Sequence, residues 1–292
     1  MAIIVDKDIP TIVQGITGAN ASLHTRFMLQ YGTKIVGGVT PGKSGQNVEG
    51  IPVYDTVQDC LAQHPEANVS SVWAPPRFAK DAILEAIEAG IKSIIVITER
   101  IPVHDMLYAR HVAKSKGVMI IGGNTPGIIS PGKALVGMLP KIAFQPGRIG
   151  TVARSGAVTY YIANSLNLAD LGESTSVGLG GDPILGTNFE EILNLFDKDS
   201  ETDAVVMAGE IGGVYEELAA PFISTMSKPV VAYITGKAAP QGKRLGHAGA
   251  IIEGSMGTAA SKIDALEKNG AIIAETLSQI PALVKKALGG AR

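Results

Sequence analysis

Short β-branched, apolar runs alternate along this chain with stretches whose apolar residues recur at helical spacing. Thr11-Ile12-Val13-Gln14, Lys34–Val39, Val69–Trp73, Ser93–Ile97 and Val118–Ile121 read as strands. Ala19–Tyr31, Thr56–Gln63, Arg77–Ala89 and Val103–Lys116 read as helices, with Gly90 as a stop signal for the third. The same rhythm restarts in the second half. Strands are expected at Arg148–Val152, Ser174–Leu179, Ala204–Met207, Pro229–Ile234 and Ala271–Ile273. Helices are expected from Ser155 to about Ala169, then at Phe189–Phe196, Glu216–Met226, Ala259–Asn269 and Leu277–Leu288. Strands that alternate with helices form parallel sheets covered on both faces. The pattern therefore predicts an α/β chain with a Rossmann-like, nucleotide-binding domain at residues 1–125. A doubly wound, flavodoxin-like domain follows at residues 148–292. Between them, residues 126–147 carry Pro131, Gly132 and Pro140 as punctuation and read as an irregular linker.

Composition narrows the partners. A length of 292 residues suits two domains at about 150 each. A net charge of −2 offers no basic face for nucleic acid or for a membrane surface. No apolar run reaches the ~18–20 residues of a membrane span, and the N-terminus lacks the apolar core of a signal peptide. A cytoplasmic setting is expected. Cys60 is the single cysteine, so no internal disulfide can form; its place in a helical pattern reads as buried packing.

Chemistry is expected beyond the carboxyl ends of the strands, where open α/β sheets bind ligands. Gly15 and Gly18 follow the first strand and open a helix, an arrangement that suits a phosphate. The third glycine of a dinucleotide fingerprint is missing, and so is the acid after the second strand. That strand runs instead into Thr40-Pro41-Gly42-Lys43, where a cation favours a phosphorylated ribose. The sequence thus disfavours NAD and favours a phosphate-rich adenine cofactor. In the second half, Arg154-Ser155-Gly156, Gly180-Gly181-Asp182, Gly209-Glu210 and Gly246-His247-Ala248-Gly249 follow strands of one sheet and should cluster along one edge. His247 stands between glycines, shortly after Lys243 and Arg244. A neutral imidazole is a nucleophile near pH 7, and a carboxylate such as Glu210 would hold its reactive tautomer. Ser155 and Gly156 either cap a helix or bring its amides to an anion. The chain has no GxxxxGK[ST] loop, so a nucleotide exchanging a phosphate with His247 would sit on another chain.

These motifs together resemble the α subunit of succinyl-CoA synthetase (succinate–CoA ligase) over essentially the whole length. The matching stretches are Gln14–Gly18, Gly37–Lys43, Ile97-Thr98-Glu99, Arg154-Ser155-Gly156, Gly180–Pro183, Gly209–Gly213 and Gly246–Ile251. The resemblance implies that Thr17, Gly18, Ala19, Asn20, Lys43, Ile97, Thr98 and Glu99 contact coenzyme A. It implies that His247 is phosphorylated with Glu210 as its carboxylate partner. Ser155 and Gly156 would hold the phosphoryl group, and Tyr160 would face the partner subunit. It also implies a β subunit with an ATP-grasp nucleotide site and Mg²⁺, in an αβ or α₂β₂ assembly. The reaction implied is succinyl-CoA + phosphate + ADP or GDP giving succinate + CoA + ATP or GTP, by way of succinyl phosphate. Malate- and citrate-CoA ligases share much of the pattern, and a non-catalytic CoA-binding protein is the rival of another class. The chain departs from many family members at Thr125, where a cysteine is usual, and at Arg100, where glycine is usual. It also has Ala153, Ala157 and Tyr161 around the phosphate helix.

Overall fold

The computed structural model describes residues 2–237, 246–251 and 257–289. The first half runs β1 (Thr11–Gln14), α1 (Ala19–Tyr31), β2 (Ile35–Val39), β3 (Asn47–Val48), β4 (Ile51–Tyr54), α2 (Val57–Gln63) and β5 (Val69–Val72). It continues with α3 (Pro76–Ala89), β6 (Ser93–Val96), α4 (Val103–Ser115) and β7 (Met119–Ile121). Its sheet has seven strands in the order β3-β4-β2-β1-β5-β6-β7, all parallel except the β3–β4 pair. The reading from pattern gave five strands here and left residues 40–52 as a loop. β4 was hidden because Pro52 interrupts a four-residue run that is half exposed. Yet β4 completes the arrangement: without the short β3, the order is the 3-2-1-4-5-6 of a Rossmann sheet. Cys60 is fully buried in α2, and burial pushes its thiol up to about 12, so it is a packing residue.

The second half contains β8 (Gly127–Ser130), β9 (Ala134–Gly137), β10 (Pro146–Ala153), α5 (Gly156–Asn167), β11 (Glu173–Gly178), α6 (Phe189–Lys198) and β12 (Ala204–Glu210). After these come α7 (Tyr215–Ile223), β13 (Val230–Thr235), α8 (Ala259–Lys268), β14 (Ile272–Ile273) and α9 (Ile280–Gly289). The parallel strands lie in the order β11-β10-β12-β13-β14, the 2-1-3-4-5 order of flavodoxin-like folds. Every residue of β12 is buried, as expected of a central parallel strand covered on both faces.

The stretch expected to be irregular departs from that reading. It forms the β8–β9 hairpin, which adds to the second sheet antiparallel to β11. Antiparallel strands carry no helix between them, so the βα rhythm could not reveal them. Gly127 and Gly137 face each other across this hairpin, and a Cβ on either would lie 2.7 Å from the other's Cα. The hairpin also docks on the first half. The Thr33 hydroxyl donates to Leu135 O at 2.7 Å and accepts from Leu135 N–H at 3.0 Å. One apolar core therefore runs from Val13 and Met28 through Leu135 and Val136 to Val177 and Phe196.

Candidate functional site

Each sheet has a switch point where the strand order reverses, the place where open α/β sheets bind ligands. In the first sheet it lies between β1 and β5, which pair in parallel. A cavity of ≈ 640 Å³ sits over their carboxyl ends. Gly18, Ala19 and Asn20 line it from the start of α1, and Ile97, Thr98 and Glu99 from the end of β6. No side chain caps the N-terminus of α1, so its first amides are left for a ligand. Trp73, Pro75, Pro76 and Met138 supply an apolar wall. This combination of open amides and apolar surface fits a ligand with phosphates at one end and a nucleobase or alkyl arm elsewhere.

Not every expected contact residue lines that cavity. The Thr17 hydroxyl bonds to Thr40 Oγ1 at 3.2 Å, at the rim between the first two loops. Lys43 is exposed on the neighbouring loop, where its main-chain N–H donates to Asp55 Oδ1 at 2.9 Å. The reading from motifs missed Trp73, Asn124 and Met138. Trp73 was discoverable, because it directly follows the strand at the switch point. Its indole N–H donates to Ser71 Oγ at 2.9 Å, and the His24 ring stacks on it at 5.2 Å.

In the second sheet the switch point lies between β10 and β12. Register puts Ala153 beside both Gly178 and Ala208, and Glu210 beside Thr235, so the four motif-bearing strand ends share one edge. His247 Nδ1 lies 2.7 Å from Glu210 Oε2. A carboxylate can only accept, so Nδ1 carries the hydrogen, and in the neutral ring the lone pair is then on Nε2. The imidazole is about a quarter exposed, whereas the Glu210 side chain is 8% exposed. Gly181 lies under the ring: a Cβ there would come within 2.5 Å of His247 Cγ and Cδ2. The Gly249 N–H ties the histidine loop to Gly181 O at 3.3 Å. Glycine at 181 is thus a packing requirement and not only a turn residue. Lys243 and Arg244 lie outside the described residues.

Ser155 occupies the N-cap position of α5, but its side chain makes no capping bond. α2, α6 and α8 are capped by Thr56, Asn188 and Thr258 side chains. The Ser155 hydroxyl and the first amides of α5 are therefore available to an anion. Further along α5, Tyr160 and Tyr161 stand 37% and 60% exposed with ring centroids 5.4 Å apart.

Behind the imidazole lies a set of buried charges that pattern reading missed. Arg154 is 1% exposed, and its Nε is 3.3 Å from Glu210 Oε1. The Glu210 N–H donates to Glu216 Oε1 at 3.0 Å. Glu216 is fully buried and paired with the ammonium of Lys262, also fully buried. Asp182 is 4% exposed between the two crevices, and burial pushes its carboxyl above the usual range. The two unusual residues of the first half have local explanations. Arg100 adopts a φ of 60°, the left-handed region that favours glycine. The Thr125 hydroxyl donates to Gly178 O and accepts from Gly127 N–H at 2.9 Å.

A Rossmann-type sheet with a ligand crevice, joined to a flavodoxin-type sheet with a histidine–carboxylate pair at its switch point, is the arrangement of a CoA ligase of the α/β class. Family comparison agrees: residues 6–100 match the CoA binding domain family, and residues 152–272 match the CoA-ligase family. An Archaeoglobus fulgidus protein named succinate–CoA ligase [ADP-forming] subunit alpha 2 is 55% identical over 288 residues, covering 99% of this chain and all of its own. The succinate–CoA ligase [ADP-forming] subunit alpha of Methanothermobacter thermautotrophicus is 50% identical, covering 98% of this chain and 97% of its own. An ATP citrate lyase structure from Methanothrix soehngenii superposes with a TM-score of 0.90 at 23% identity, covering 98% of this chain and half of that longer one. That likeness concerns the fold. This chain belongs to the family of succinate–CoA ligase α subunits.

Proposed function

We propose that the chain serves an ADP-forming succinate–CoA ligase, interconverting succinyl-CoA, phosphate and ADP with succinate, CoA and ATP, and that His247 carries the phosphoryl group. CoA occupies the first crevice, with Thr17, Gly18, Ala19, Asn20, Lys43, Ile97, Thr98 and Glu99 around it. Phosphate attacks the thioester carbonyl, the C–S bond breaks, and succinyl phosphate forms as CoA leaves. His247 Nε2 then attacks the phosphorus. The N–P bond forms as the P–O bond to succinate breaks, and succinate leaves as a carboxylate. Glu210 holds the Nδ1 hydrogen throughout and offsets the positive charge that develops on the ring. Ser155 and Gly156 hold the phosphoryl oxygens at the start of α5. A β subunit of ATP-grasp type supplies the nucleotide site and its Mg²⁺, in an αβ or α₂β₂ assembly, and Tyr160 faces it. The setting is the cytoplasm; none of the described helices is long and apolar enough to cross a membrane.

The observation that carries this reading is the 2.7 Å contact of His247 Nδ1 with Glu210, which in the neutral ring puts the nucleophilic lone pair on Nε2. The names of the relatives support succinate and ADP. The test is acid-labile radiophosphate labelling of the complex reconstituted with the β subunit, followed by turnover on a panel of dicarboxylates. His247→Ala should abolish label and lower turnover by at least ~10⁴-fold, the scale for loss of a nucleophile. Turnover retained in His247→Ala would refute the role, and a preference for malate or citrate would refute the substrate.

A further inference from the structure

Arg154 is one of the largest fully buried side chains described, and an arginine stays charged in protein interiors. It follows β10 directly, and its main-chain N–H donates to Ala208 O of β12 at 3.2 Å. Its guanidinium reaches three further segments. Nε lies 3.3 Å from Glu210 Oε1 at the end of β12. Nε also donates to Gly180 O at 3.3 Å, and Nη2 donates to Asp182 O at 3.0 Å, both in the loop after β11. The Tyr215 ring covers it at 5.7 Å, within cation–π range. At Gly249, two residues beyond the histidine, a Cβ would stand 3.0 Å from Nη2. Among the described residues, Glu210 is the one carboxylate within ion-pairing distance of Arg154.

A buried guanidinium needs a counter-charge, and a buried carboxylate needs the same. Each answers the other here, and the geometry divides the two oxygens of Glu210 between them. Oε1 faces Arg154 and forms no hydrogen bond of its own, while Oε2 faces the imidazole. We infer that Arg154 is a positioning residue for histidine phosphorylation: it fixes the rotamer of Glu210, and through Glu210 it holds the Nδ1 edge of the His247 ring, so that the attacking lone pair of the neutral imidazole is on Nε2. It also joins the Gly180–Asp182 loop, on which the imidazole rests, to the same carboxylate. The donors recorded for Arg154 go to the Gly180 and Asp182 carbonyls, and its tie to Glu210 is one of charge.

This inference rests on the phosphohistidine reading, and the experiment separates the two. The α–β complex is prepared as wild type, Arg154→Met, Glu210→Gln and the double variant, and the rate of acid-labile labelling by radiophosphate is measured in each. Arg154→Met should slow labelling by about 10–100-fold, the usual cost of losing a group that orients a catalytic side chain. KM for CoA should stay within about twofold. In the Glu210→Gln background the same substitution should cost less than about threefold, since the residue through which it acts is already altered. Independent, multiplicative losses would overturn the proposal, as would a loss confined to KM for CoA. If Arg154→Met does not fold, Arg154→Lys completes the same cycle, keeping the charge while losing the fork to Gly180 and Asp182. Absence of label in the wild-type complex would overturn the phosphohistidine reading itself.

Discussion

The two crevices occupy equivalent places in their sheets, yet they are built from opposite materials. The first is walled mostly by main chain and uncharged side chains: open amides of α1, the faces of Trp73 and two prolines, and Met138, with Glu99 the one charged residue of its lining. The second is backed by charge taken out of water: Arg154 and Glu210 in front, Glu216 and Lys262 behind. A crevice that recognises a large soluble ligand gains from area and from groups already lacking partners. A crevice that makes and breaks a bond gains from charges that cannot relax away when the reacting charge moves. The contrast teaches that a switch point supplies a location, and that the residues just beneath the strand ends decide its chemistry.

Breaking the buried frame should have the largest effect. Lys262→Met leaves Glu216 and Glu217 without their ammonium, and the loss of one partner from a buried pair costs about 3–5 kcal/mol. Denaturant unfolding should show that loss, and labelling of His247 should fall with it, because Glu216 holds the Glu210 main chain. Unchanged stability would remove the second crevice's claim to be a charge-built site. Next in size is a control at the far end of the same sheet. Glu173, at the start of β11, is wholly buried, and burial pushes its carboxyl up to about 8. The folded chain then holds a proton that the unfolded chain releases above its ordinary value of 4.5. This stabilisation is complete below that value and is lost as pH rises towards about 8. It should amount to a few kcal/mol, on the order of 1.4 per pH unit. Glu173→Gln should flatten stability against pH over that window while leaving the labelling rate alone. A fall in labelling would mean that the buried charge of this half is not confined to one edge. The smallest effect belongs to the first, largely apolar crevice. Trp73→Ala should raise KM for CoA about tenfold, equivalent to about 1.4 kcal/mol, with phosphorylation from ATP unaffected. An equal loss in both would erase the distinction between the crevices.

Much of this arrangement was legible in the chain, and the failures have physical causes. α1 falls on the residues that its periodicity marked, Ala19–Tyr31. The gathering of Ser155, Gly181, Glu210 and His247 followed from one rule, that strand ends of a parallel sheet share an edge. β4, β8 and β9 escaped because short or antiparallel strands break the alternation on which the reading relied. Glu216 and Lys262 escaped for a different reason, as did the burial of Arg154, which the motif reading had marked: charged residues are mostly exposed, and only the folded neighbourhood reveals which are covered. Gly181 was visible as a surplus glycine, but its purpose appears only with the ring above it.

Thr125 links these regions by mechanical means. Its main-chain N–H donates to Val96 O at the end of β6, and its hydroxyl grips Gly178 O at the end of β11. With the bonds from Gly181 N–H to Asn124 O and from Gly186 N–H to Gly122 O, this residue staples one sheet to the other beyond the carboxyl ends of their strands. The spacing of the two sheets at this seam is consequently gauged in part by the reach of one short side chain. A serine would preserve that gauge. A sulfur in the same seat, with its longer bonds and weaker hydrogen bonding, would loosen the grip on Gly178 O.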